Sequence, residues 1–440
     1  MTPRDPFETT LEHWLDAEAA GMAPATIHDD AMRAARLVRQ RPTWFIWLRG
    51  GVDAAPRARV RPLVARPQVL LVLGLILLLA TVVVVGAGVI RQLQPQSSTN
   101  GRIMFARDRA VGKAEYVTTG PDGSDEVRFM EADQCGQCTF WSPDGRQIMI
   151  PTTVDGRLRT AIIAPDGMQQ RTLAFPDATF GLGPGAWSPD GRQVALEAVE
   201  ADAASQYGIY VTDSDGSSAL RQVTTAIAGR TDEVPTYSPD GRRIAFLSKN
   251  PGNPPVVYGS GDLFIVNADG TDLRKVNPTG TTFVATAANG RPMAWSPDGR
   301  QIVFNAVEEP LDAGRSAVYL ANVEGGDPVR ISEFGSWIAM VDWSPDGAWI
   351  VWGEADNGDG RPRTWIAHPD GTAVRQLIGP GTPISGCCAT WSPDGTRLLF
   401  QRGDSRGNGD LWTMDKNGAV LDQITHQQAR YIWFSWAPAP

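Results

Sequence analysis

Apolar residues in this chain follow two patterns. From residue 101 onward they alternate with polar ones in short stretches: RQIMI (146–150), RQVALEA (192–198), RRIAFLS (242–248), RQIVFNA (300–306), AWIVWGE (348–354) and TRLLFQR (396–402). A period of two predicts β-strands with one face turned inward. Each stretch leaves a recurring pentapeptide: WSPDG at 141–145, 187–191, 295–299, 343–347 and 391–395, and YSPDG at 237–241. The aromatic residue ends one strand. Pro pre-sets φ, Asp accepts local backbone bonds and Gly takes the left-handed conformation, so the pentapeptide predicts a hairpin turn. A second turn follows in each repeat, as in TAIIAPDGM (160–168), LFIVNADGT (263–271) and TWIAHPDGT (364–372), and then a short outer strand such as LRQVT (220–224). Asp-Gly between apolar runs is a strong hairpin signal. Each repeat therefore holds four strands.

The ends complete the pattern. GRIMFA (101–106) reads as the strand that follows a WSPDG turn, and YIWFSWAPAP (431–440) reads as the strand that precedes one. Trp436-Ala437-Pro438 matches Trp-Ser-Pro, and Asn100-Gly101-Arg102 is expected to match Asp-Gly-Arg. Six whole repeats plus one completed by both termini predict an all-β, seven-bladed β-propeller over 101–440. Its blades are four-stranded and antiparallel, and the C-terminal strand joins the first blade. Closing the ring in this way removes an unpaired edge.

The second pattern is continuous. VLLVLGLILLLATVVVVGAGVI (69–90) carries no charge. About 22 residues at about 1.5 Å each cross roughly 30 Å of hydrocarbon, so 67–91 is expected to be a single transmembrane helix. Arg49, Arg57, Arg59, Arg61 and Arg66 precede it and Arg91 alone follows closely. The positive-inside rule then puts 1–66 in the cytoplasm and the propeller outside the cell membrane, after a 92–100 linker. The 1–66 region shows helical spacing at Phe7, Leu11, Trp14, Leu15 and Ala19, so a small helical region is expected, with a possible cytoplasmic partner. It has no Cys and only His13 and His28, too few ligands for a zinc domain.

The net charge of −9 is uneven: residues 1–66 carry ten Arg against eight Asp and Glu, and 101–440 carry the acidic excess. Such a domain repels phosphates, so no nucleic-acid partner is expected. The few lysines (Lys113, Lys249, Lys275 and Lys416) among many arginines suggest a bacterial source.

As a set, the repeats over 101–440 resemble the TolB-type β-propeller family, also called PD40 or WD40-like. Tyr237, Ala348 and Thr396 depart from its pattern. The family resemblance implies a cell-envelope protein, although TolB itself resembles a six-bladed propeller behind an α/β domain.

Variable connections are expected on the face opposite the uniform turns, pointing away from the membrane. They include 175–185, 248–262, 277–292, 307–316 and 354–362. Variable loops on a rigid scaffold are where binding concentrates. Phe180, Tyr258, Asp262, Phe283 and Arg291 are the candidate residues of that face. A protein, peptide or glycan partner is expected there, and the chain is read as a scaffold or sensor. The competing reading is an enzyme of the propeller lyase or lactonase type, with carboxylates or a metal at the channel mouth.

Cys135 and Cys138 (CGQC) and Cys387 and Cys388 sit just before Trp141 and Trp391. Outside the cytoplasm an even count favours disulfides. Pairing within CGQC, a bridge between the two clusters and a thiolate metal site are the alternatives. No residue set points to a cofactor. GDSRG (403–407) matches G-x-S-x-G but falls in a polar loop rather than a strand–turn–helix elbow. His368 and His426 are the only histidines beyond residue 91, so histidine acid–base chemistry is poorly supplied. EADNGDG (354–360) and DSDG (213–216) lack EF-hand spacing.

Overall fold

The computed structural model describes residues 100–438, apart from a few single positions and several inter-strand segments, chiefly 134–138, 200–202, 250–259, 285–291, 309–314, 355–360, 383–385 and 404–407. The expected helical region and the apolar run 69–90 lie outside the described residues. Among the described residues no helix is long and apolar enough to cross a membrane.

The described chain is all-β, with one short 3₁₀ turn at Ala204–Gln206. Its strands form three four-stranded sheets, one of eight strands and one of nine. The Trp187 repeat is typical: Gly181–Trp187, Gln193–Val199, Ile209–Asp213 and Arg221–Gln222 pair in that order, antiparallel throughout. The larger sheets are four-stranded units joined at their margins. In the nine-stranded sheet the extra strand Thr281–Val284 pairs with both Ser260–Asn267 and Gln301–Glu308. In the eight-stranded sheet, Ala429–Trp436 touches Asn408–Met414 through two residue pairs and then follows Ile103–Ala110 along its length.

That last pairing sets the register of the closure. Ile103 lies opposite Trp436, as Ile148 lies opposite Trp141 and Val194 opposite Trp187. The Ala437 amide donates to Arg102 O at 2.7 Å, as the Ser142 amide donates to Gln147 O at 2.9 Å. Arg102 thus takes the place of Gln147, and Asn100 that of Gly145. The expected match of Asn100-Gly101-Arg102 to Asp-Gly-Arg is therefore one residue out of step. Strand pairing decides this position, because a slip of one residue would turn Ile103 and Phe105 out of the core.

The pentapeptide turns are wired alike. In each, the Ser hydroxyl donates to the Asp carboxylate, as Ser188 Oγ does to Asp190 Oδ1 at 2.6 Å. The same Ser oxygen accepts the amide five residues on, and the Asp oxygen accepts the amide two residues on. The Ser188 hydroxyl and the Arg192 amide together hold the Asp190 carboxyl below its ordinary pKa. The turns also lean on one another: Gly191 packs against Pro143, Gly241 against Pro189, Gly299 against Pro239, Gly347 against Pro297, Gly395 against Pro345, and Gly145 against Pro438. Asn100 closes this series, donating to Asp394 Oδ2 at 3.1 Å and accepting the Asp394 amide at 3.2 Å.

The core lies between successive units. One cluster joins Met149 and Ile162 to Leu182, Trp187 and Leu196; another joins Ala195 and Val211 to Tyr237 and Ile244. At the outer edge, Arg171 donates to Ser214 O at 2.6 Å and Arg221 to Ala268 O at 2.8 Å, each reaching the second turn of the next unit.

A candidate binding cavity where the inner strands converge

The strand that enters each pentapeptide is the innermost of its unit, and these strands meet around one cavity of about 340 Å³. Its walls come from every such strand. Thr139, Phe140 and Trp141 are followed round by Gly185–Trp187, Val234–Thr236, Met293, Met340, Thr390 and the 433–436 stretch of the C-terminal strand. These positions lie within three residues before the motif aromatic or at it, and Pro143 and Pro438, two residues after it, complete the wall, so the repeat itself carries the signal that marks them.

The backbone there is irregular for a shared reason. β-bulges interrupt pairing between Pro184 and Ala186, Glu233 and Thr236, Ile338 and Met340, and Cys387 and Ala389. A bulge bends its strand and re-aims the side chains next to it. Val234 and Cys388, each three residues before the aromatic, have φ of 55° and 60°. The left-handed conformation of such branched or bulky residues is held by packing from the neighbouring unit.

The lining is largely apolar, with a few polar atoms. Thr139 Oγ1, Ser435 Oγ and Trp436 Nε1 are buried and have no hydrogen-bond partner among the described residues. Leaving such groups unpaired costs about 1–3 kcal/mol each, which the packing of the inner strands must offset. Other polar groups at this depth are committed to structure. Trp187 Nε1 donates to Phe140 O at 3.2 Å and Trp295 Nε1 to Thr236 O at 3.3 Å, each tying one unit to the unit before it. Asp342 Oδ2 accepts from Thr390 Oγ1 at 2.8 Å and from the Trp391 amide at 3.0 Å. Glu197 is the perturbed carboxyl of this region. It runs beside Gly183 and accepts the Val234 amide at 3.0 Å. Burial pushes its pKa up to about 7, outweighing the opposing amide hydrogen bond. Among the described residues no group of three or more His, Cys, Asp or Glu could hold a metal ion.

Of the residues expected on the variable face, Asp262 and Phe283 lie on paired strands, with Gly261 opposite Phe283, and Phe180 belongs to another unit. Tyr258 and Arg291 lie outside the described residues. Phe283 is fully buried on the strand that joins two units, edge-to-face with Phe304. Phe180 is buried against Tyr210, with ring centroids 5.1 Å apart. Neither ring is offered to solvent, because each fills a seam between strands. Asp262 is half-buried and bonded to Lys275 at 2.6 Å and Arg230 at 2.8 Å. Although burial pushes its carboxyl up, those two cations hold it below its ordinary pKa. Cys135, Cys138 and the Cys387 side chain lie outside the described residues; Cys388 packs among Ile103, Phe105, Met340 and Leu399.

Residues 256–439 match the family model described as the TolB beta propeller domain (PD40). The Tol-Pal system protein TolB of Alcanivorax borkumensis is 31% identical over 135 residues, which is 30% of this chain and 27% of that protein. An uncharacterised protein of Agrobacterium fabrum is 22% identical over 49% of this chain and 63% of its own length. A crystal structure of puromycin hydrolase superposes with a TM-score of 0.53 at 19% identity, covering 74% of this chain and 52% of that one. The chain thus spans less than two thirds of the length of these curated relatives. Over residues 256–439 the chain is similar to the TolB β-propeller domain.

Proposed function

We propose that the chain is a binding module: a seven-bladed propeller whose central cavity and its mouth take up a protein or peptide partner. The observation that carries this reading is the cavity itself, with apolar and aromatic walls drawn from every inner strand and a few threonine and serine residues among them, the usual make-up of a recognition site. The seven-blade count draws on the cyclic series of turn contacts and on Ile103 opposite Trp436. The TolB match adds support for a protein partner in the cell envelope. On this reading, 69–90 anchors the module in the cell membrane with the propeller outside, 1–66 inside and the variable loops outermost.

The test is capture of envelope proteins by the tagged full chain, comparing wild type with Phe140→Arg and Pro438→Arg at the cavity wall. A partner retained by wild type and lost by both variants, at unchanged melting temperature, supports the reading. Equal capture by all three refutes it. The alternative, a propeller enzyme, draws on relatives such as an uncharacterised peptidase of Bacillus subtilis, matched over 20% of its length. Turnover of peptide or lactone substrates abolished by Glu197→Gln would favour it.

A further inference from the structure

A second cavity, of about 250 Å³, lies against the Trp343 unit, where Ile338, Trp352, Glu354, Arg363 and Trp365 line it; it shares no lining residue with the central cavity. Its chemistry follows from strand register. Trp352 stands directly opposite Trp365, and two residues along Glu354 stands opposite Arg363. Positions two apart share a sheet face, so two indoles, a carboxylate and a guanidinium line one wall. Phe334, from the unit before, forms the other wall.

Other units carry aromatic pairs at the register of Trp352 and Trp365, such as Phe246 against Phe264 and Phe304 against Tyr319, both stacked. The difference lies two residues on, where Glu354 and Arg363 stand in place of Ala306 and Ala317 or of Ser248 and Asp262. Trp352 and Glu354 are buried at 3% and 8% exposure, and Trp365 Nε1 donates to Glu354 Oε2 at 2.9 Å, which restrains the indole at the cavity wall. Gly335 runs so close to the Glu354 carboxylate that a Cβ there would collide with it.

We propose that this cavity binds a neutral sugar ring. Indole faces suit the C–H face of a pyranose, and a carboxylate beside a guanidinium supplies acceptors and donors for its hydroxyls. The charges nearly balance. Glu333 and Glu354 line the cavity with Arg363, while Arg330 and Arg315 stack on Phe334 at 4.1 and 4.4 Å, which disfavours an organic cation in the aromatic pocket. The volume is below the ~300–1,000 Å³ of pockets that enclose drug-sized ligands, a size for one ring. This site is separate from the central cavity and does not depend on its function.

Isothermal titration of the full chain with cellotriose, maltotriose and chitotriose tests the assignment, with tetramethylammonium and trigalacturonate as charged controls. Saturable binding of at least one neutral saccharide is expected. It should weaken at least tenfold in Glu354→Gln and in Val374→Trp, which fills the rim from an exposed position. Absence of binding by all three neutral saccharides overturns the proposal. So does binding unchanged in Val374→Trp, or tighter binding of either charged control.

Discussion

Ile103 and Trp436, near the two ends of the described chain, lie directly opposite each other in one antiparallel ladder. Both are buried, and both belong to a cluster with Phe105, Leu399, Leu411 and Tyr431. The indole therefore both packs the core and clasps the fold. Trp436→Ala should cost about 3–5 kcal/mol, the range for deleting a large buried aromatic. Denaturant unfolding should show a lower midpoint; a loss below about 1 kcal/mol would mean that the C-terminal strand does not hold the structure together.

Arg107 lies further along that ladder, opposite Tyr431. Its side chain is 8% exposed and is bonded to Glu115, whose side chain is fully buried, and to Glu126 at 2.6 Å. Arg107→Met strands the Glu115 carboxylate, at about 3–5 kcal/mol. Arg128, 3.6 Å from Glu115, offsets part of that. The double variant Arg107→Met/Glu115→Met should recover most of the loss. Equal melting temperatures for the single and double variants would show that the two charges are not coupled.

Glu197, raised to about 7 from 4.5, makes stability depend on pH. Between these values the folded chain holds a proton that the unfolded chain has lost. Folding therefore weakens as pH rises through this window, and the full penalty stands above pH 7. Glu197→Gln removes the penalty. It should raise stability at pH 8 by at most about 3 kcal/mol, less where the open part of the carboxylate is hydrated, and by nothing near pH 4.5. Melting curves of both proteins at pH 5 and pH 8 measure this; parallel shifts would rule Glu197 out.

Asn100 and Asp394 exchange two hydrogen bonds at the seam of the turns. Asn100→Asp sets two carboxylates face to face. The Asp394 carboxyl is buried enough to be pushed up by desolvation, yet Ser392 and the Thr396 amide keep it below its ordinary pKa, so it stays charged at neutral pH. The variant should lose about 1–2 kcal/mol at pH 7 and regain it below about pH 4, as one carboxyl takes up a proton. A loss that does not change between pH 7 and pH 4 would show that charge repulsion is not its cause.

Strand existence and pairing were legible in the residues themselves. Alternation marked the strands, Pro-Asp-Gly marked the turns, and the incomplete motifs at Gly101 and Trp436 foretold which strands join. These features are local, set by φ preferences and by which face of a strand is apolar, so a linear reading captures them. The register at the seam was not legible, because Asn100 resembles the Asp of the motif and only the ladder to Trp436 shows that it stands for Gly145. Nor was it legible that Phe180 and Phe283 are core residues, since an aromatic in a loop-like segment reads as exposed until a neighbouring unit covers it. Both cavities likewise exist only in three dimensions. The lining of the first comes from strands some fifty residues apart, and the second is a gap between two units. Burial, charge state and enclosed space depend on which units become neighbours, and that is a property of tertiary packing rather than of any one stretch of chain.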